Sequence, residues 1–251
     1  MAMRDFEGST LWRISEYERL RAGPEAASAL LPSGRATLLP TTLLADLRQL
    51  AREAASSDVL EVMAACLRHR EAALLTVQVG TLVWPVTVFP RERLYHSPCD
   101  PTQLPSAAGF SSHRLLSTEP PGVRAPGDAQ HERVAVAAKY RPLPALLWLV
   151  ALHGPRKVLL NEIAGRAAYR LAAGLGSDRP EPPGALAPAV LRLREEAASL
   201  REMAQWPGLS VERASRLLNA LYLTDALMVT RSHPAARDPP SGWRGLLGGR
   251  R

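Results

Sequence analysis

The chain has 251 residues, 46% of them apolar, and a formal net charge of +7. That length suits one or two domains with a sizeable core, and no apolar run approaches the roughly 18–20 residues of a membrane span. Two cysteines, Cys66 and Cys99, exclude a disulfide framework, and the positive charge points to polyanionic or acidic partners. The first residues, Met-Ala-Met-Arg-Asp-Phe-Glu, lack the apolar core of a secretory signal. The expected compartment is therefore the cytoplasm, where both thiols stay reduced. All but two of the 31 cationic side chains are arginine, the lysines being Lys139 and Lys157. This bias, with abundant Ala, Leu and Pro, points to a GC-rich bacterial genome. The basic residues are dispersed along the chain, with no dense run.

Residues 1–40 are expected to be irregular: a charged helix, Trp12 to Arg21, and then stretches broken by Pro24, Pro32, Gly34 and Pro40. Thr42 is expected to cap a helix carrying Leu43, Leu44, Leu47 and Leu50. Ser57 is expected to cap the next, with Asp58 in its first turn. That helix runs to His69, with Val59, Leu60, Val62, Met63 and Leu67 on its apolar side. Ala73–Val79 and Leu82–Phe89 are β-rich, and Gly80-Thr81 between them predicts a hairpin turn. Pro85 predicts an edge position or a bulge for the second strand. Leu94-Tyr95-His96 adds a short third piece.

Residues 97–127 are rich in Pro, Ser and Gly and read as a loop holding one strand, His113–Thr118. Val134–Ala138 is a further strand candidate. Leu143–Leu152 reads as a buried helix ended by Gly154-Pro155. Val158–Ala173 reads as another helix, with Leu159, Ile163, Ala167 and Leu171 spaced along one face. Residues 174–187, rich in Pro and Gly, read as a linker. Residues 41–173 are therefore expected to form an α+β domain of helices packed on a small antiparallel sheet.

The most specific pattern follows the linker. Pro188–Ala198 supplies one helix. Ser199 and Glu202 form a capping box at the start of a second. Gly208 falls where a tight turn needs positive φ, and Ser210 is an N-cap for a third helix. Ala214, Leu217, Leu218 and Leu221 give that helix one buried face. Leu227–Thr230 then reads as a strand. The spacing Ala204–Gly208–Ala214–Leu217 resembles helix-turn-helix regulators, and the strand after it resembles the first wing strand of a winged-helix domain. This resemblance covers residues 188–233 and implies a mainly helical C-terminal domain, followed by a flexible tail, 234–251.

The resemblance implies that the helix starting at Ser210 exposes Ser210, Glu212, Arg213, Ser215, Arg216 and Asn219; the candidate contacts to a partner are Ser210, Arg213, Ser215, Arg216 and Asn219, with Arg231 beyond the strand. Arg and Asn at such places suit base edges or phosphates. Glu212 opposes phosphate, however, and Ser232-His233-Pro234 breaks the chain where a second wing strand would follow. The preferred expectation is a non-enzymatic bacterial regulatory or adaptor protein that uses this module for protein contacts. The alternative is a DNA-binding transcriptional regulator.

Other chemistry is sparse. Cys66-x-x-His69 and His96-x-x-Cys99 have spacings compatible with a tetrahedral zinc site, although buried hydrophobic cysteines are commoner. The chain holds no Gly-x-Ser-x-Gly elbow, no phosphate-binding Gly-x-x-x-x-Gly-Lys loop and no His-Glu-x-x-His pair. No cofactor is expected.

Overall fold

The computed structural model describes residues 12–22, 39–53, 58–99, 111–129, 131–172 and 182–236. The expected cap at Ser57, residues 100–110 of the Pro-rich loop, residues 174–181 of the linker and residues 237–251 of the tail lie outside them. The fold is α+β, with helices and strands interspersed along the chain. The chain divides into two compact units at Arg156/Lys157. No helix among the described residues is long and apolar enough to cross a membrane.

The first unit opens with β1 (Trp12–Arg13) and α1 (Ile14–Ala22), so the expected charged helix starts two residues late. Next come α2 (Thr41–Arg52), α3 (Val59–His69), β2 (Ala73–Val79), β3 (Leu82–Phe89), β4 (Leu94–His96), β5 (Arg114–Glu119), β6 (Tyr140–Pro142) and α4 (Leu143–His153). The strands form an antiparallel sheet in the order β5-β2-β3-β4-β6, with β1 beside β3. The expected hairpin forms, with Val79 paired to Leu82 and Gly80 at φ +60°. Pro85 does not mark an edge. It pairs with Thr76 in an interior strand, between the β1 pairing at Leu82–Val83 and the β4 pairing at Thr87–Phe89. Among the described residues no strand pairs with Pro85 on that side, so its missing N–H breaks no ladder there. The sheet's irregularity lies elsewhere, between Thr76 and Val77 where β2 meets β5.

The caps also differ from expectation. Helix α2 follows Pro40 with no side-chain cap, and Thr42 lies inside it. Asp58, not a first-turn residue, caps α3: its carboxylate accepts from Leu60 N at 2.9 Å and Glu61 N at 3.4 Å. The α3 C-terminus closes on Arg70 at φ 53°, with Glu71 N donating to Cys66 O at 3.1 Å. An L-residue in this left-handed region costs about 1–2 kcal/mol relative to glycine. Glu61 is only 2% exposed. Its charge is met by Arg156, whose guanidinium lies 2.7 Å from Glu61 Oε1 and 2.5 Å from Asp58 Oδ2.

The strand expected at Val134–Ala138 is reduced to one parallel bridge, Arg124 with Val134, and a 3-10 turn at Ala137–Lys139. A side chain replaces the missing ladder here. The Tyr140 hydroxyl accepts from Ala135 N at 2.9 Å and donates to Arg124 O.

The helix expected at Val158–Ala173 is absent. Leu160–Ile163 forms a turn, Gly165 adopts φ +89°, and Ala168–Leu171 is a strand, β7. The apolar spacing arises from a buried turn and an alternating strand placed in series. Strand β7 is the centre of a three-stranded antiparallel sheet, between β8 (Ala198–Ser199) and β9 (Leu227–Thr230). The division between units therefore falls ahead of β7 rather than at residues 174–187, because β7 pairs with strands from the C-terminal part of the chain.

Around this sheet stand α5 (Leu186–Glu195), α6 (Leu200–Met203) and α7 (Val211–Leu223). The Ser199–Glu202 capping box starts α6 as expected. Gly208 has φ +74°, and a Cβ there would lie 2.6 Å from Ala185 Cβ, so the turn requires glycine on two counts. Ala214, Leu217, Leu218 and Leu221 of α7 are fully buried.

Candidate functional site

Helix α7 is the element expected to meet a partner. Ser210 caps it, its hydroxyl accepting from Arg213 N at 3.2 Å, and remains exposed. Arg213 is exposed too, but its guanidinium folds back to donate to Gly208 O at 2.6 Å. Arg216 is 17% exposed at its side chain and pairs with Glu212 at 3.0 Å.

Two of the expected contact residues are not on the surface. Ser215 is 1% exposed and Asn219 is 0% exposed. The cause is the segment that follows Arg156. Asn219 Nδ2 donates to Val158 O at 2.9 Å, and Asn219 Oδ1 accepts from Leu160 N at 2.9 Å. The Tyr222 hydroxyl donates to the Glu162 carboxylate, and Lys157 Nζ lies 3.5 Å from Glu212. Residues 212, 219 and 222 lie along one side of α7, and residues 157, 158–160 and 162 meet them in the same order. The segment is a strap laid along that side.

Arg231, expected to reach a partner, holds the far end of the strap. Its guanidinium donates to Ala164 O at 3.0 Å and Glu162 O at 3.1 Å. Leu159, Leu160 and Ile163 of the strap are buried. Burying each such side chain contributes about 1.5–3 kcal/mol, and each hydrogen bond about 1 kcal/mol. Lifting the strap would therefore consume much of the roughly 5–15 kcal/mol that stabilises a domain. It is a standing part of the unit rather than a cover that opens.

No family model, curated protein or solved structure matches the chain.

What stays open on the second unit is its periphery. Val211, the first residue of α7, and Val158 are both more than half exposed, and the Lys157–Glu212 ion pair joins their chain neighbours. Leu191 on α5 and Met228 on β9 are similarly exposed. Arg192 stacks 4.6 Å over the Trp206 ring, which ties α5 to the turn before α7. The strap residues escaped the sequence reading because their apolar spacing suits a helix. Gly165 was the available signal against one.

The structure does not gather the four zinc candidates, Cys66, His69, His96 and Cys99, into one ligand set. Among the described residues no three His, Cys, Asp or Glu side chains gather as a metal site. Cys66 is buried on α3, and burial pushes its thiol up to about 12. His69, one turn on, lies 2.9 Å from Asp46 of α2. Cys99 is buried with Sγ 3.9 Å from Ser97 Oγ, and Ser97 also accepts from Trp84 Nε1 at 2.7 Å. His96 packs against the Tyr140 ring at 5.2 Å. Burial, then the charges of Lys139 and Arg141, bring its imidazole down to about 4.

Proposed function

We propose that the second unit is a winged-helix-like module in permuted order, with β7, which precedes the helices, standing where a second wing strand would follow β9. On this reading the protein is a non-enzymatic regulatory or adaptor protein of the bacterial cytoplasm, and the module makes contacts with a protein partner. The observation that carries the reading is the burial of Asn219 beneath the strap. A recognition helix needs its outer side free to enter the roughly 12 Å major groove. Here that side is occupied by the chain's own backbone, and Glu212 and Arg216 pair with each other.

The alternative, a DNA-binding regulator using the helix from Ser210, keeps the support of exposed Ser210 and Arg213 at the tip of α7. Titration of the purified protein with duplex DNA across a salt series separates the two. The adaptor reading expects at most weak binding that Arg213→Ala leaves unchanged. A DNA reader shows log K falling steeply with log salt, and Arg213→Ala flattens the slope.

A further inference from the structure

We propose that β9 is the surface on which two copies of this chain meet, the two strands pairing antiparallel, edge to edge, about a two-fold axis at Met228. This concerns assembly and stands apart from whether the second unit meets a protein or DNA.

The register of the three-stranded sheet fixes which backbone groups of β9 face outward. Ala172 N donates to Ala226 O at 2.9 Å. Hydrogen-bonded and non-hydrogen-bonded pairs alternate along an antiparallel ladder, so Arg170–Met228 and Ala168–Thr230 are the pairs that exchange bonds. Leu227 and Val229 therefore direct both N–H and C=O away from β7. Among the described residues no strand lies on that side, and no hydrogen bond engages those groups there. Such a row of open groups is a template for another strand.

The other edges are defended. Strands β1, β5 and β6 carry Arg13, Arg114 and Arg141, and β6 also ends in Pro142. The two-residue β8 has the turn Pro234–Ala236 against it. Strand β9 reads Leu-Met-Val-Thr, with neither charge nor proline. Met228 is 52% exposed. The nearest charge across the ladder is drawn off it, since Arg170 donates to Arg194 O at 3.3 Å.

The occupant follows from symmetry. An edge whose open residues are 227 and 229 pairs with itself when Leu227 of one copy lies opposite Val229 of the other. Both copies then donate and accept equally, and the two Met228 residues meet on the axis as a non-hydrogen-bonded pair, Cα atoms about 4.5 Å apart. The exposed methionine gains an apolar partner, and the contact closes as an isologous dimer. The interface is small, so the dimer is weak and concentration-dependent.

Sedimentation velocity of the full chain from about 1 μM to about 1 mM should show monomer passing to dimer. Met228→Lys sets like charges directly opposite and should weaken association about tenfold or more. Its Tm should hold, because the side chain is exposed. Leu191→Lys, at a similarly exposed apolar residue of α5, should leave association as it is. Met228→Cys should oxidise with diamide to a covalent dimer, since that Cα spacing lies within the disulfide range; Leu191→Cys should not. The cross-link also decides the matter if the lysine variant misfolds. A wild-type chain that stays monomeric, association that a folded Met228→Lys chain retains, or a Met228→Cys chain that forms no cross-link would each overturn the proposal. The last result would mean that the edge takes a different strand or that copies associate elsewhere.

Discussion

Asn219, in the middle of α7, accepts the backbone N–H of Leu160 at 2.9 Å and is itself fully buried. Its amide also donates to Val158 O at 2.9 Å, so one side chain serves both a donor and an acceptor of an irregular segment. A buried strap without a ladder needs such a partner for its backbone. The residue that looked suited to adenine is committed to the protein's own peptide groups.

Asn219→Ala should therefore destabilise the second unit by about 2–4 kcal/mol, because it strands one buried N–H and one buried C=O. Urea denaturation followed by a probe in that unit reads the change directly. A residue serving only an external partner would leave the midpoint where it is.

Arg156 answers for two carboxylates, one of them nearly inaccessible. Arg156→Met leaves Glu61 charged and buried, which costs about 3–5 kcal/mol. Adding Glu61→Gln should recover a large part of that loss, giving a coupling that a double-mutant cycle measures. Additive losses would mean that the pair acts independently.

His96 makes the first unit sensitive to acid. Its folded pKa lies near 4, below the ordinary 6.5, through burial and the nearby Lys139 and Arg141. Between those values the unfolded chain binds a proton that the folded chain refuses, so stability rises with pH and is lost as pH falls from about 6.5 to about 4. His96→Gln should show a shallower loss across that window than the wild type. An NMR titration that places His96 at an ordinary value would remove the effect.

Local signals carried much of what could be read in advance. Gly80-Thr81 marked the hairpin, Gly154-Pro155 ended α4, and the Ser199–Glu202 pair and Ser210 marked two helix starts, because each is decided by residues within a turn of one another. The misreadings share a different origin. Leu159, Ile163, Ala167 and Leu171 fit a helical spacing, yet they lie in an irregular segment around a turn and in the strand β7 that follows, whose partners, Ala198–Ser199 and Leu227–Thr230, lie far along the chain. Asn219 was placed outside because residue type suggests polarity and not burial. A polar side chain aligned with Leu217, Leu218 and Leu221 becomes intelligible only once the backbone it bonds is in place. The bond from the Arg91 guanidinium to the Arg70 carbonyl is likewise non-local, and no local pattern announces it.

Amide hydrogen exchange at Leu160 tests most directly whether the side of α7 is permanently sheathed. With its N–H held by buried Asn219 and its side chain fully covered, Leu160 should exchange only through opening of the whole unit, alongside Leu217 and Leu218 in α7. Exchange at a loop-like rate while those α7 amides stay protected would contradict this. It would mean that the strap lifts and returns the helix face to an outside partner.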